Sequence, residues 1–596
     1  MTAAVPLDLS HHFSYVTKNR QASQVKDFYK YFLIPNIANF AGGLPHPSYF
    51  PYDTLEATVA RPQRLQPSTS HDTKSDRVTV PKEFKTSDPS QRIDLTTALQ
   101  YGTAEGYAPL LSFLRRFVKD HLHPNVPYKG GPEVILSCGN TDGFCKAVEL
   151  LSNIWNPDRD WIQQRQGILC EEFAYMNAIQ TAQPRGLNIV GVAMDGEGMC
   201  VFGKGGLQDV LENWDFRRGR RPHLMYTVTT SVKHDSMLIT YDRIGQNPTG
   251  GTLSIERRKQ IYALCQKYDV IIVEDEPYWN LQFPSAYEME ASYRGDSVQA
   301  RSARNCNAQG RSSGYAFLDS LVPSYLSIDT EGRVIRLDTF SKTIAPGSRL
   351  GWITAQPAFI ERLARITETT TQQPSGFVQS VVAETIMKNQ QNEDVSRVSK
   401  KPTEHGWQMD GWVRWLEGLR GGYERRMQAM CTVLEENKFL FHQNSEFSTT
   451  RSDSVDDWEV VDRVQMYQFV WPKGGMFAWV EILFDTHPLR SKYSAEKLSK
   501  ALWIHLTKKP HLSLVGPGRI FAATPDSATR AHKYIRLAFA PMDAEDVAPF
   551  TNRLVGGFRA FWQREDLDGL DDEDDAAAVL VRHTLGSMAN FMGGNC

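Results

Sequence analysis

No run of about 18 consecutive apolar residues occurs in the chain, so no segment reads as a membrane-spanning helix. The opening stretch, MTAAVPLDLSHHFSYVTKNRQ, has no basic region followed by an apolar core and so lacks the pattern of a secretory signal. The 8 cysteines, at 138, 145, 170, 200, 265, 306, 431 and 596, form no Cys-x-x-Cys pair and no Cys/His metal spacing. They read as mostly buried thiols of a reducing compartment rather than a disulfide frame or a metal centre. Neither sign of charge dominates: 66 basic residues face 69 acidic ones. Eight of the acids fall between Glu565 and Asp575, leaving about +5 on the rest of the chain. A nucleic-acid or membrane-surface binder needs a larger and clustered basic excess. The acidic run reads as a solvated linker to the tail. No repeat of about 20–50 residues is present, which excludes solenoids and propellers.

What is present is an ordinary globular composition, 41% hydrophobic and 23% charged, over 596 residues. At roughly 150 residues per domain, that length predicts two to four domains or lobes. A soluble intracellular enzyme, placed in the cytoplasm, is the expectation. Polar stretches at 61–92, 285–313 and 389–406 read as exposed loops. Between them runs an α/β rhythm. Val134-Ile-Leu-Ser is strand-like, and Phe144, Ala147, Val148 and Leu151 then share one helix face. Ser254 is placed to cap a helix carrying Ile261, Leu264, Cys265 and Tyr268, which leads into the apolar strand after Asp269. Helices alternating with fully apolar strands imply a buried parallel sheet. The last third, with the alternation of Met476-Phe-Ala-Trp-Val and the strand pattern around Ile535, reads as a smaller α/β lobe.

Open parallel sheets bind ligands beyond the carboxyl ends of their strands. Four polar segments follow apolar runs. Asp338-Thr-Phe-Ser-Lys342, with Arg349 seven residues on, can set an amine beside an anion site, since lysine forms Schiff bases when desolvated and arginine grips phosphate bidentately. The plain alternative is an exposed lysine in a Pro-Gly loop. Asp275-Glu-Pro-Tyr278 offers a carboxylate for hydrolysis, for holding a cationic ring nitrogen, or merely for solvation. Asn247-Pro-Thr-Gly is, alone, a turn. Gly139-Asn140-Thr141-Asp142-Gly143 lies at a strand-to-helix junction, where helix N–H groups favour an anion.

In this order the segments resemble the fold-type I pyridoxal 5′-phosphate enzymes, specifically the class I/II aminotransferases. Ala41-Gly-Gly-Leu-Pro-His-Pro, Leu99-Gln-Tyr101-Gly, Glu171-Glu-Phe-Ala-Tyr175 and Val515-Gly-Pro-Gly518 through Tyr534-Ile-Arg536-Leu-Ala-Phe are similar to the kynurenine/2-aminoadipate branch. Leu321-Val-Pro-Ser-Tyr-Leu and Gly411-Trp-Val-Arg-Trp-Leu are similar to the fungal aromatic amino-acid aminotransferases. The resemblance covers roughly residues 13–560. It implies a large domain over 93–370, with a mostly parallel seven-stranded sheet sandwiched by helices, and a smaller α/β domain over 371–564. Residues 1–60 are the expected N-terminal arm and start of the small domain, 61–92 a polar loop, and 565–596 an acidic, disordered tail.

The resemblance also assigns roles. Lys342 matches the Schiff-base lysine and proton carrier, and Asp275 the partner of the pyridine nitrogen. Asn247 and Tyr278 match the residues at the ring 3′-oxygen, and Tyr175 the aromatic stacked on the ring. Asn140, Thr141, Thr339, Ser341 and Arg349 match the phosphate cup, with Tyr101 entering from the neighbouring subunit of a homodimer. Arg536 matches the grip on the substrate α-carboxylate, and Gly43 and Asn247 join it in binding substrate. The implied reaction moves the amino group of an L-amino acid to a 2-oxo acid such as 2-oxoglutarate by a ping-pong mechanism. The implied donors are Phe, Tyr, Trp or kynurenine, with 2-aminoadipate as a further one. Decarboxylation or elimination on the same fold, and an inactive cofactor-binding regulator, are the alternatives. Substrate side chains are read by an N-terminal segment, here about 13–50, where Arg20 and Lys26 are candidates for a distal carboxylate. No metal, nucleic acid or membrane is implied. Two departures stand out. About 15 residues near Thr230–Arg243 separate the Met225-Tyr-Thr-Val strand from the Asn247 turn, as a displacement of that turn, a lid or a translated intron. Asn140-Thr141 also replaces the more usual Ser-Gln.

Overall fold

Ile271, Ile272 and Val273 are apolar on both faces of a strand, as a sheet covered on both sides requires. In the computed structural model the strand Ile271–Asp275 is buried along its whole length and sits at the centre of a seven-stranded sheet. The structure describes residues 4–23, 42–65, 75–195, 198–229, 247–249, 253–295, 305–387, 409–442 and 462–570, with single positions at 31, 34, 37, 38, 40 and 407. Across the sheet the strands run Glu133–Ser137, Gly351–Ala355, Val334–Thr339, Ile271–Asp275, Leu224–Thr227, Gly167–Glu171 and Asn188–Val192. Gly351–Ala355 is antiparallel to both its neighbours, and the other pairings are parallel. Successive side chains leave opposite faces. Ile271, Val273, Ile335 and Leu337 join one core with Phe144 and Val148 of the helix Asn140–Leu151, whereas Ile272, Val334 and Met225 enter another with Ile261 and Cys265. The expected sandwiched, mostly parallel sheet is therefore present.

Ser254 caps the helix Ile255–Lys267 as its position suggested, its hydroxyl accepting the Arg257 N–H. Beyond the large sheet, Tyr467–Phe469, Phe477–Ile482, Tyr534–Ala538 and Gly516–Pro517 form an antiparallel sheet in that order. The helices Asp410–Glu436, Ala495–Thr507 and Val547–Trp562 contribute Met427, Leu498 and Phe558 to the core that these strands share with the large sheet.

Three stretches differ from the sequence-based expectation. Residues 75–81, expected inside a polar loop, form a strand paired antiparallel with Thr54–Ala60. Only Val80 of that strand is buried, so the hairpin carries too little apolar surface to announce itself. Within 285–313, Ala286–Arg294 is a helix that buries Ala286, Glu290 and Ala291. The acidic segment packs at its start: Leu567 and Leu570 are buried, and Lys508 Nζ donates to the Gly569 carbonyl at 2.8 Å. The insertion at 230–243, the polar stretch at 389–406 and the tail from 571 lie outside the described residues. Of the described cysteines only Cys170, Cys265 and Cys431 are buried, and Cys145 is exposed. Among the described residues no helix is long and apolar enough to cross a membrane.

Candidate active site

Parallel strands place their carboxyl ends along one edge, and five of them feed one cavity there. Ser137 leads to Asn140 and Thr141, Glu171 to Tyr175, and Thr227 to Val228. Asp275 ends its strand three residues before Tyr278, and Thr339 ends another before Ser341 and Lys342. Arg349 lies at the same edge, just before Gly351–Ala355. Asn247 and, from the antiparallel sheet, Phe477 and Arg536 complete the wall of a cavity of about 330 Å³. Eleven of the thirteen residues singled out in the sequence line it: Asn140, Thr141, Tyr175, Asn247, Asp275, Tyr278, Thr339, Ser341, Lys342, Arg349 and Arg536. Tyr101 and Gly43 do not line it; Tyr101 is 57% exposed, and Gly43 is open to solvent.

One end of the cavity is built for an anion. Arg349 Nη1 donates to the Ser341 hydroxyl at 3.1 Å and to the Pro346 carbonyl at 2.8 Å. The Thr339 hydroxyl donates to Ser341 Oγ at 2.9 Å and accepts the Ser341 N–H at 3.1 Å. Arg349 sits at φ 45°, a left-handed backbone rare outside glycine, and such strain persists where surrounding structure enforces it. Gly139, at φ 90°, leaves the guanidinium its space, because a Cβ there would lie 2.6 Å from Arg349 Nη2. The helix Asn140–Leu151 begins here, with the unpaired N–H groups of its first turn.

The opposite end is deeply buried. Burial raises the proton affinity of Asp275, opposed by hydrogen bonds from Tyr226 and Asn140. Tyr226 OH donates to Asp275 Oδ2 at 2.7 Å, and Asn140 Nδ2 donates to Oδ1 at 2.6 Å. The Asn140 side chain, expected at the phosphate, is hydrogen-bonded to Asp275. Its amide reaches two acceptors there, Asp275 and the Leu337 carbonyl at 3.1 Å, and is committed to them. Beneath this layer lies a buried charge cluster. Arg336 pairs with Asp338 at 2.9 Å and Glu274 at 3.2 Å, and Arg258 with Glu274 at 3.1 Å. Glu276 gives a third carboxylate against two guanidiniums. Burial, then repulsion from Glu274, holds its proton affinity well above the ordinary glutamate range.

Lys342 lines the same cavity. Its amine has a lowered pKa, first from burial and then from the positive charges of Arg536 and Arg349. Arg536 Nη1 donates to Asn247 Oδ1 at 2.8 Å, and its guanidinium lies 4.2 Å from the centre of the Phe477 ring and 4.5 Å from that of Phe521. Tyr278 is hydrogen-bonded to Asn247, and burial pushes its phenol up, followed by the charge of Asp275. Arg20 forms an ion pair with Glu149, and Lys26 lies outside the described residues.

Three residues of the site, Tyr226, Phe477 and Phe521, were not expected from the sequence. A tyrosine in an otherwise apolar strand is a usable signal, because a buried phenol needs a hydrogen-bond partner. The two phenylalanines are paired with Arg536 only by the tertiary fold.

Hydroxyls and a guanidinium, a buried carboxylate and an amine lining one cavity form a donor set that matches a phosphorylated pyridine aldehyde. Residues 243–554 match the family of class I and II aminotransferases. An aromatic amino acid aminotransferase of Schizosaccharomyces pombe is 34% identical over 484 residues, 80% of this chain and 83% of that protein. An L-tyrosine:2-oxoglutarate aminotransferase of Tapinella panuoides is 31% identical over 485 residues, 81% of this chain and 75% of that protein. Among solved structures, aminotransferase Aro8 from Candida albicans superposes with a TM-score of 0.71 at 28% identity, covering 94% of this chain and 100% of that one. The chain belongs to the class I and II aminotransferases. Its cofactor is pyridoxal 5′-phosphate, and its substrates are an amino acid and a 2-oxo acid.

Proposed function

We propose that this enzyme transfers the amino group of an aromatic L-amino acid to 2-oxoglutarate, as a cytoplasmic homodimer. The observation that carries this is the single cavity in which Lys342, Asp275 and Arg536 face a common space. When bound, the cofactor supplies an aldehyde that takes up the amino group and a ring that accepts electrons from Cα. Thr141, Thr339, Ser341 and Arg349 hold its phosphate, with Tyr101 of the second subunit joining them. Asp275 keeps a proton on the ring nitrogen, and Asn247 and Tyr278 bond to the ring oxygen. Arg536 clamps the substrate carboxylate, its two phenyl neighbours excluding water and fixing the plane of the guanidinium. That leaves the Cα–H near the Lys342 amine. The lowered pKa of Lys342 favours the free base, which would take the proton from Cα and deliver it to the cofactor's former aldehyde carbon, across the amino nitrogen.

The preference for an aromatic donor is supported by the relatives' activities and by the wall of the cavity, where Phe144, Val228 and Phe477 supply apolar surface. Steady-state rates for a panel of donors with 2-oxoglutarate test this. The expected order of kcat/KM puts Tyr, Phe, Trp and kynurenine above 2-aminoadipate, aspartate and alanine. An acidic donor at the head of the series would overturn the aromatic assignment.

A further inference from the structure

Asp275 is held by two donors from different elements. Tyr226 lies on the adjacent strand, opposite Val273 in register, and its ring packs edge-on against Phe144 at 4.8 Å. Asn140 opens the helix that also carries Phe144. Its amide bridges Asp275 and the carbonyl of Leu337, one strand further on the other side. The carboxylate is thus gripped from both flanks, one donor to each oxygen, at 2.6 and 2.7 Å. The orientation of the amide is settled by its surroundings: both neighbours are acceptors, and Asn140 Oδ1 is buried with no hydrogen-bond partner. A carboxylate with a single donor can turn about its Cβ–Cγ bond. With two, its remaining lone pairs are fixed toward the cavity, where a ring N–H would arrive.

We propose that Tyr226 and Asn140 are positioning residues that act on the cofactor ring through Asp275, and that the side chain of Asn140 serves the ring nitrogen rather than the phosphate. This rests on the assignment of Asp275 as the ring-nitrogen partner. It separates this chain from a pattern in which the first helix residue spends its side chain on phosphate. The anion end is then left to Thr141, Thr339, Ser341, Arg349 and the helix N–H groups. Donors to a charged group are worth more than neutral ones, so each loss should be measurable.

The test is equilibrium binding of pyridoxal 5′-phosphate, and of unphosphorylated pyridoxal, to apo-protein carrying Tyr226→Phe or Asn140→Ala, each alone and combined with Asp275→Asn. Either single replacement should weaken both ligands by about 10-fold. In the Asp275→Asn background neither should add more than about 2-fold, because the charge through which it acts is gone. Equal losses with and without the Asp275 charge would make the two residues merely structural and overturn the proposal. A loss for Asn140→Ala confined to the phosphorylated ligand would return that side chain to the phosphate and overturn the proposal as well. Failure of the unaltered protein to bind pyridoxal 5′-phosphate is a separate result, which would sink the functional reading itself.

Discussion

A guanidinium packed 4.2 and 4.5 Å from two phenyl rings has lost much of its water yet stays charged, so an arriving carboxylate offsets that desolvation. Burial lowers the pKa of Arg536, and its one hydrogen bond among the cavity residues goes to the neutral Asn247 amide. The site is therefore preorganised for a carboxylate. Arg536→Lys keeps the charge but loses the fork and the stacking. We expect kcat/KM for the amino donor to fall about 100-fold, mostly through KM, while pyridoxal 5′-phosphate still binds. Steady-state kinetics and a cofactor titration check both halves. At this scale the sequence was most informative where chemistry forces a residue type at a strand end: Lys342, Asp275, Asn247 and Arg349 all reach the cavity. It was silent where the partner is set by packing, as for Tyr226 against Asp275 or Phe521 against Arg536. For Asn140, matched to the phosphate cup, it did not reveal the two acceptors within reach of the side chain.

Strands deliver these residues, and beneath the strand ends a layer of buried charge sets their electrostatics. Glu274, Glu276 and Asp338 share two guanidiniums, those of Arg258 and Arg336, on two adjacent strands, the turn after one of them and one helix. One carboxylate is in excess, and burial raises the proton affinity of both Asp338 and Glu276. A group whose folded-state pKa is raised above its ordinary value of 4.5 favours the fold while protonated and loses that contribution as pH rises through the raised value. Glu276→Gln keeps an oxygen for the Thr229 N–H, which Glu276 Oε1 accepts at 2.7 Å, and removes the ionisation. The variant should match the parent near pH 4.5 and become progressively more stable than it above that, by melting temperature. A difference that shrank with rising pH would contradict the sign. Elements were legible in proportion to their apolar contrast. The fully apolar strand after Asp269 and the capped helix after Ser254 stand out in the sequence. The hairpin 54–60/75–81 does not, because its side chains are mostly solvated and only its backbone pairing makes it a strand.

The whole molecule joins a parallel sheet that supplies the cofactor end to an antiparallel sheet that supplies the substrate arginine. The join is close to the chemistry. Ala174 N–H donates to the Phe521 carbonyl at 2.9 Å, and Ala523 N–H to that of Glu172 at 3.0 Å. The segment bearing Tyr175 is thereby tied to the one bearing Phe521, and through its ring to Arg536. Tyr101 is exposed and stands outside its own chain's cavity. Such an arrangement suits a reaction in two halves, with one substrate replacing the other over a cofactor that stays. The most direct test follows a single turnover with L-tyrosine and no acceptor. One equivalent of 2-oxo acid should form per bound cofactor and then stop, resuming only when 2-oxoglutarate is added, and Lys342→Ala should lower that first half-reaction by about 10²–10⁴-fold or more. Continuous product without an acceptor, or release of carbon dioxide in place of the 2-oxo acid, would show that the cavity carries out a different reaction.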